Sequence, residues 1–317
     1  MKLAFLFPGQ GAQKPGMGRA LAEKHPEAMA AFEAADKALG IPLSRLCWEG
    51  PLEELTKSVN AQPALLTHGV AAWRTIEAAG IKPSWAAGHS LGEYTACVAT
   101  GAIAFEEAVR LVRRRGELMY RAGQERPGTM AAILGLTREQ VEAACAAASE
   151  AGVVVAANDN APGQVVISGE IPAVERACEI AKQNGAKRAI RLEVSGAFHS
   201  PLMASASREL EEALDRARIG DASCPVIANV SAEPVRSASE IRDALKRQLL
   251  GAVRWRGSMT ALIEAGAAFV ELGPGNVLRG LLRTIDQQAR AWNVDDSDSL
   301  QATLAGLSAA APAMEES

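Results

Sequence analysis

The sequence predicts an α/β protein: a large domain on a parallel central sheet, with a small antiparallel module inserted into it. Three observations carry that expectation. Short apolar runs at 3–7, 81–87 and 267–272 lack polar alternation, as strands covered on both faces do, and a helical pattern follows each. Between residues 127 and 194 the order becomes β-α-β-β-α-β, that of a ferredoxin-like module. In Gly88-His89-Ser90-Leu91-Gly92 a serine stands between two glycines where a strand gives way to a helix.

A chain of 317 residues holds one large domain, or one large and one small. We place the large domain at 1–125 and 197–307, the small one at 126–196, and a disordered, Ala-rich and acidic tail at 308–317. Apolar residues make up 48% and charged residues 22%, as in an ordinary soluble protein. The net charge of −4 gives no electrostatic reason to expect a nucleic acid partner. No apolar run approaches the roughly 20 residues of a membrane span. The apolar start is stopped by Pro8-Gly9 too early for a signal peptide. Five cysteines, odd in number and widely spaced, argue against a disulfide framework and a structural zinc site, and point to the reducing cytoplasm.

In chain order, strand 3–7 ends at Pro8-Gly9-Gln10-Gly11, either a plain tight turn or backbone brought close to a ligand. Lys14, where a third glycine would be needed, rules out a dinucleotide fingerprint. Helices are expected at 26–39 and 63–79, the second apolar nearly all round, so that His68 within it reads as a core residue. His25 reads as a helix-entry residue. After the Ser90 turn come helices at 91–100 and 105–122. At about 100° per residue, Ala108, Leu111, Val112, Leu118 and Met119 share one face of the second. Arg110, Arg113 and Arg114 fall opposite, whereas Arg115 falls in the middle of the apolar face. A guanidinium facing inward keeps its charge and needs an anion. An internal carboxylate and a substrate are both open candidates for it.

The small module is expected to run from strand 129–136, through a helix opened by the capping box Thr137-Arg138-Glu139-Gln140, to strands 153–157 and 164–168 joined by a turn at 158–163. A helix from Pro172 to Gly185 and a strand at 186–194 complete it. Ser200 then reads as an N-cap with Pro201 at the first helical position, which leaves His199 at a helix entrance where the chain returns to the large domain. Strands at 224–230 and 267–272, the turn Gly273-Pro274-Gly275, a helix at 276–285 and a short helix from about 299 follow.

A serine hydroxyl needs a base, and His199 is the best placed of the four histidines. His89, next to Ser90, points elsewhere and reads as packing. No carboxylate between Ser90 and His199 announces itself as a third triad member, and a backbone carbonyl could orient the imidazole instead. The Leu91 N–H at the helix start and a donor from the Gln10 loop would form an oxyanion hole.

The stretches Phe7-Pro8-Gly9-Gln10-Gly11-Ala12-Gln13, Gly88-His89-Ser90-Leu91-Gly92-Glu93-Tyr94, Arg115-Gly116, Asn160-Ala161-Pro162-Gly163-Gln164, Ala197-Phe198-His199-Ser200, Gln248 and Glu271-Leu272-Gly273-Pro274-Gly275 together resemble the malonyl-CoA:acyl carrier protein transacylases of dissociated fatty acid synthesis. The likeness spans Leu3 to about Leu307. It implies a hydrolase-like large domain with the ferredoxin-like insertion. It also implies that Ser90 is acylated, that His199 is the base, and that the Gln10 and Leu91 N–H groups bind the oxyanion. Arg115 would hold the malonyl carboxylate, and the Gln248 main-chain carbonyl would orient His199. Phe198 and Met119 would form a selectivity pocket, with Asn160 a small-domain contact. Asp159 stands where many relatives have tyrosine. The implied substrates are malonyl-CoA and acyl carrier protein, with no metal or other cofactor, no membrane or nucleic acid partner, and a monomeric chain. The same chemistry could serve polyketide synthesis or malonate decarboxylation. A serine esterase would share the Ser90 turn, but would need an acidic triad member and has no use for an inward arginine.

Overall fold

The structure, a computed structural model, describes residues 1–310. The first part of the chain forms β1 (Leu3–Phe7), α1 (Arg19–Lys24), α2 (Pro26–Leu39), α3 (Leu43–Glu49), α4 (Leu52–Thr56), α5 (Ser58–Ala78), β2 (Trp85–Gly88), α6 (Gly92–Ala99) and α7 (Phe105–Glu125). Next come β3 (Thr129–Leu134), α8 (Arg138–Ala147), β4 (Val154–Ala161), β5 (Gln164–Gly169), α9 (Ile171–Gln183) and β6 (Arg188–Arg191). The last part comprises α10 (Ala204–Arg216), β7 (Val226–Ile227), β8 (Pro234–Val235), α11 (Ala238–Gln248), α12 (Trp255–Glu264), β9 (Ala268–Leu272), α13 (Val277–Ile285), β10 (Ala291–Val294) and α14 (Ser297–Ala310). No helix among the described residues is long and apolar enough to cross a membrane.

Two sheets organise these elements. The large one has the order β10-β9-β1-β2-β7-β8 and is parallel except for β8. Its strands read as unbroken apolar runs because both faces are covered. Leu3, Phe5 and Phe7 pack into one core with Phe32, Leu66 and Val112, while Ala4 and Leu6 pack into another with Trp255, Met259 and Leu282. The small sheet is antiparallel in the order β4-β5-β3-β6, the ferredoxin-like arrangement. Alternate residues of β3 divide in the same way. Ala131 and Ile133 join Val141 of α8 and Val174 of α9, whereas Met130 faces the large core. One face of the small sheet therefore packs on the large domain, where β4 meets α12 and α13.

Several local expectations hold, including the bounds of α2, the capping box at Thr137 and the Ser200 cap. Others need correction. The segment 158–160 is not a turn: β4 continues through it to Ala161, with bulges on the way, and only Pro162 and Gly163 turn. The Asn-Asp-Asn composition suggests a loop, but an outside partner overrides it. The Asp159 N–H donates to the Val253 carbonyl and the Val253 N–H to the Ala157 carbonyl, both at 2.9 Å. Helix α5 starts at Ser58, so Pro63 lies inside it, where its missing N–H forfeits one bond, to the Val59 carbonyl. The expected strand at 224–230 shrinks to β7, and the short edge strand β10 went unread. Helix α14 reaches Ala310, so residues 308–310 are not a disordered tail; 311–317 lie outside the described residues.

The serine turn is built by contact between backbones. A Cβ on Gly88 would strike the Gly92 backbone, and one on Gly92 would strike the Phe7 carbonyl, so β2, α6 and the end of β1 pack closer than side chains allow. Ser90 itself sits at φ +50°, the left-handed region. Gly92→Ala should therefore cost about 3 kcal/mol. Thermal denaturation checks this, with Tm expected to fall by a few degrees, on the order of 4 to 5 °C.

Candidate active site

Ser90 and His199 reach each other across 109 residues of chain. Ser90 Oγ lies 2.8 Å from His199 Nε2. The ring is held by its other nitrogen, with Nδ1 3.0 Å from the Gln248 carbonyl oxygen and 3.1 Å from that of Gly251. Two carbonyls can only accept, so Nδ1 carries the proton and Nε2 is left to accept from the serine hydroxyl. The third triad member is thus main chain and not a carboxylate. His199 is 4% exposed, at φ +56°, where the chain bends into the short helical turn capped by Ser200. Burial first, then the neighbouring Arg115 charge, pushes its pKa down to about 3, so the imidazole stays neutral.

The serine turn is clamped by a residue that the sequence did not flag. Asn229 Oδ1 accepts from the Ser90 N–H at 2.7 Å, and its Nδ2 donates to the Gly88 carbonyl at 2.7 Å. Asn229 follows β7, at the carboxyl end of a parallel strand, where sites collect in such sheets. That position is the one signal that could have found it. Leu91 and Gln10 both line the cleft beside Ser90. Among the described residues, neither backbone N–H donates to another group, and Leu91 stands at the start of α6. Gly9 lets the Gln10 loop lie against the serine turn, since a Cβ there would meet the His89 carbonyl.

Arg115 is 1% exposed, as the phase of its helix predicts. Its three outward neighbours pair with Glu107, Glu117 and Glu209. Among the described residues no carboxylate forms an ion pair with Arg115. Nη1 donates to Gln62 Oε1 at 2.9 Å, and Nη2 to Ser90 Oγ and Gln248 Oε1, each at 3.1 Å. The guanidinium lies 5.5 Å from the Tyr94 ring centre, and Nε has no partner. Burial lowers its pKa, against the opposing pull of Tyr94 and Glu93. Of the two candidates for the anion, the internal carboxylate is absent from ion-pair distance.

The cleft has a volume of about 420 Å³ and brings together Gln10, Ser90, Leu91, Arg115, Met119, Asn160, Phe198 and His199. Gln248 stands behind it, buried. Its role is wider than the carbonyl expected of it, because its side chain touches Arg115, the Ser90 carbonyl and Glu93. Met119 is held by Gln62 Nε2, which lies 3.2 Å from its sulfur. Asn160 does not stand free: its Oδ1 accepts from His89 Nε2 at 2.8 Å, and the His89 ring lies 5.5 Å from that of Trp255. His89 is thus packing, as expected, and also a tie between the serine turn and β4. Gln62 and Gly251 were missed with Asn229, for none carries a local signature, and Glu93, though part of the serine motif, was given no role. His68 is a core residue whose Nε2 meets the Asp295 carbonyl at 2.9 Å.

Comparison with known proteins extends this. The acyl transferase domain family matches residues 4–309. The malonyl CoA-acyl carrier protein transacylase of Bacillus subtilis (strain 168) is 47% identical over 308 residues, covering 96% of this chain and 97% of its own. The crystal structure of an acyl-carrier-protein S-malonyltransferase from Burkholderia pseudomallei 1710b is 45% identical with a TM-score of 0.93, covering 96% of this chain and all of its own. A malonyl-transacylase solved in complex with a type II PKS acyl-carrier protein is 43% identical with a TM-score of 0.94, and the match covers 96% of this chain and all of that one.

The depressed His199 pKa sets a pH dependence. Because the imidazole of the free protein protonates only near pH 3, the basic form persists on acidification, and the second-order rate of Ser90 acylation, which reads the free protein, should stay level from pH 7 to about pH 5. A histidine of ordinary pKa would lose about 30-fold over that interval, so rates of acyl-enzyme formation across it decide the matter.

Proposed function

The chain belongs to the acyl transferase domain family, and from that premise we infer that it is an [acyl-carrier-protein] S-malonyltransferase, moving a malonyl group from malonyl-CoA to the phosphopantetheine thiol of an acyl carrier protein. The observation that carries the choice of acyl group is Arg115: a buried guanidinium with neutral partners only, opening on the same cleft as the serine. An acyl group ending in a carboxylate supplies the missing anion, and a bidentate pair would orient it.

The residues have these roles in our reading. Ser90 Oγ attacks the thioester carbonyl while His199 Nε2 takes its proton. The Gln10 and Leu91 N–H groups receive the oxyanion. The carbon–sulfur bond breaks and the departing thiolate takes the proton back from His199. The carrier thiol then gives its proton to the same nitrogen and attacks the malonyl-serine ester, and Ser90 Oγ leaves with that proton. Acyl exchange between oxygen and sulfur is redox-neutral and needs no metal or redox cofactor. Phe198 and Met119 bound the acyl pocket, and Asn160 contributes from β4. We keep the division into a large domain and an insertion at 126–196, and a cytoplasmic setting, in which five free cysteines are at home.

The pathway served is fatty acid synthesis in this reading. The solved complex with a type II PKS carrier favours polyketide synthesis as a second setting for the same reaction. An esterase is the weaker alternative, since His199 turns to carbonyls and not to a carboxylate.

Brief exposure to malonyl-CoA should add one malonyl group to the protein, seen by intact mass, and Ser90→Ala should abolish the adduct. Arg115→Ala should lower malonyl transfer by on the order of 100-fold or more while lowering acetyl transfer far less, as a lost charge-assisted pair of about 3 kcal/mol requires. Comparable losses for both acyl groups would sink the carboxylate role.

A further inference from the structure

Glu93 is a buried carboxyl that none of these steps employs. It lies on α6, three residues beyond Ser90, is 1% exposed, and does not line the cleft, so no substrate reaches it. A carboxyl taken out of water is costly, and an apolar side chain would have filled the space without that cost. Its contacts say what it does there. Glu93 Oε2 accepts from Gln248 Nε2 at 2.7 Å and from the Asn229 backbone N–H at 3.2 Å.

The first of these bonds settles which way the Gln248 amide points. The two ends of a glutamine amide are nearly equal in size and opposite in hydrogen bonding. Nε2 has two hydrogens, and both are taken by acceptors, Glu93 Oε2 and the Ser90 carbonyl at 2.8 Å. The amide oxygen is thereby left facing Arg115 Nη2 at 3.1 Å. The reversed amide would turn its N–H groups on a buried cation and its oxygen on a carboxyl. We propose that Glu93 is a positioning residue that, through the Gln248 side chain, holds the Arg115 guanidinium where the substrate carboxylate arrives.

This rests on Arg115 being the carboxylate clamp. Glu93 only accepts in both bonds, so a neutral group with one acceptor oxygen serves as well. Burial pushes its pKa up to about 7, in keeping with that.

The experiment compares rates of Ser90 acylation by malonyl-CoA with rates of labelling by an uncharged fluorophosphonate, which needs Ser90 and His199 but carries no carboxylate for Arg115 to bind. Intact mass follows both. Glu93→Leu should lower the malonyl rate by about 30-fold and the fluorophosphonate rate by less than about threefold, whereas Glu93→Gln should stay within about threefold of the parent in both. In an Arg115→Ala background, Glu93→Leu should cost the malonyl rate nothing more. Equal losses toward both reagents, or a further loss in the double variant, would overturn the proposal. Where Glu93→Leu does not fold, Gln248→Leu removes the linking amide but keeps the carbonyl that holds His199. A selective malonyl loss there supports the proposal and an equal loss overturns it. Failure of the parent protein to take malonyl would instead strike at the proposed function. A parent that takes it, with a Glu93→Leu preference unchanged, leaves that function standing and refutes the positioning role alone.

Discussion

Much in this structure depends on keeping one positive charge out of water with no negative charge to meet it. A guanidinium does not shed its proton, and its burial costs several kcal/mol unless something compensates. Here the compensation is dipolar: two glutamine oxygens, a serine oxygen and an aromatic face. The same charge also acts on the base, since Arg115 is one of the two main causes that depress the His199 pKa. The two effects are linked. A carboxylate paired with Arg115 cancels the field that opposes an imidazolium, so His199 becomes a stronger base when an acidic acyl group is in place. An uncharged acyl group leaves the base as weak as before.

Gln248 is where these influences meet. Its main-chain oxygen fixes the histidine tautomer, while its side chain spans the guanidinium, the Ser90 carbonyl and Glu93. Asn229 does the same for the serine turn, taking the Ser90 N–H and giving to Gly88. The reacting atoms are thus held by amides that are themselves fully engaged. Such a network keeps its geometry only while every member is satisfied.

The three residues to which we assign the chemistry were legible because each has a local signature. Ser90 has glycines at a fixed spacing, Arg115 has a helix phase, and His199 has a serine cap and a proline behind it. The structure brings the three together at hydrogen-bond distance around Ser90 Oγ. Asn229 and Gln62 were not legible, because nothing local distinguishes them, and Glu93 stood in the serine motif with no role legible for it. Asn229 meets Ser90 across 139 residues of chain, and only the sheet order brings them together. The error at 158–160 has the same origin. Turn composition is a local fact, and it loses to a backbone partner at Val253 that sequence does not place nearby. Where the fold followed from periodicity, as in α2 and α7, the sequence reading needed little correction.

The position of β4 has a consequence for motion. A module inserted through two chain crossings would ordinarily swing about them as a hinge. Here β4 is cross-braced far from those crossings. Its backbone bonds to Val253, Asp159 pairs with Arg256 at 3.0 Å, and Asn160 accepts from His89 beside the nucleophile. Any rotation that widened the cleft along β4 would have to break all three braces, so that edge holds its width without any closing step.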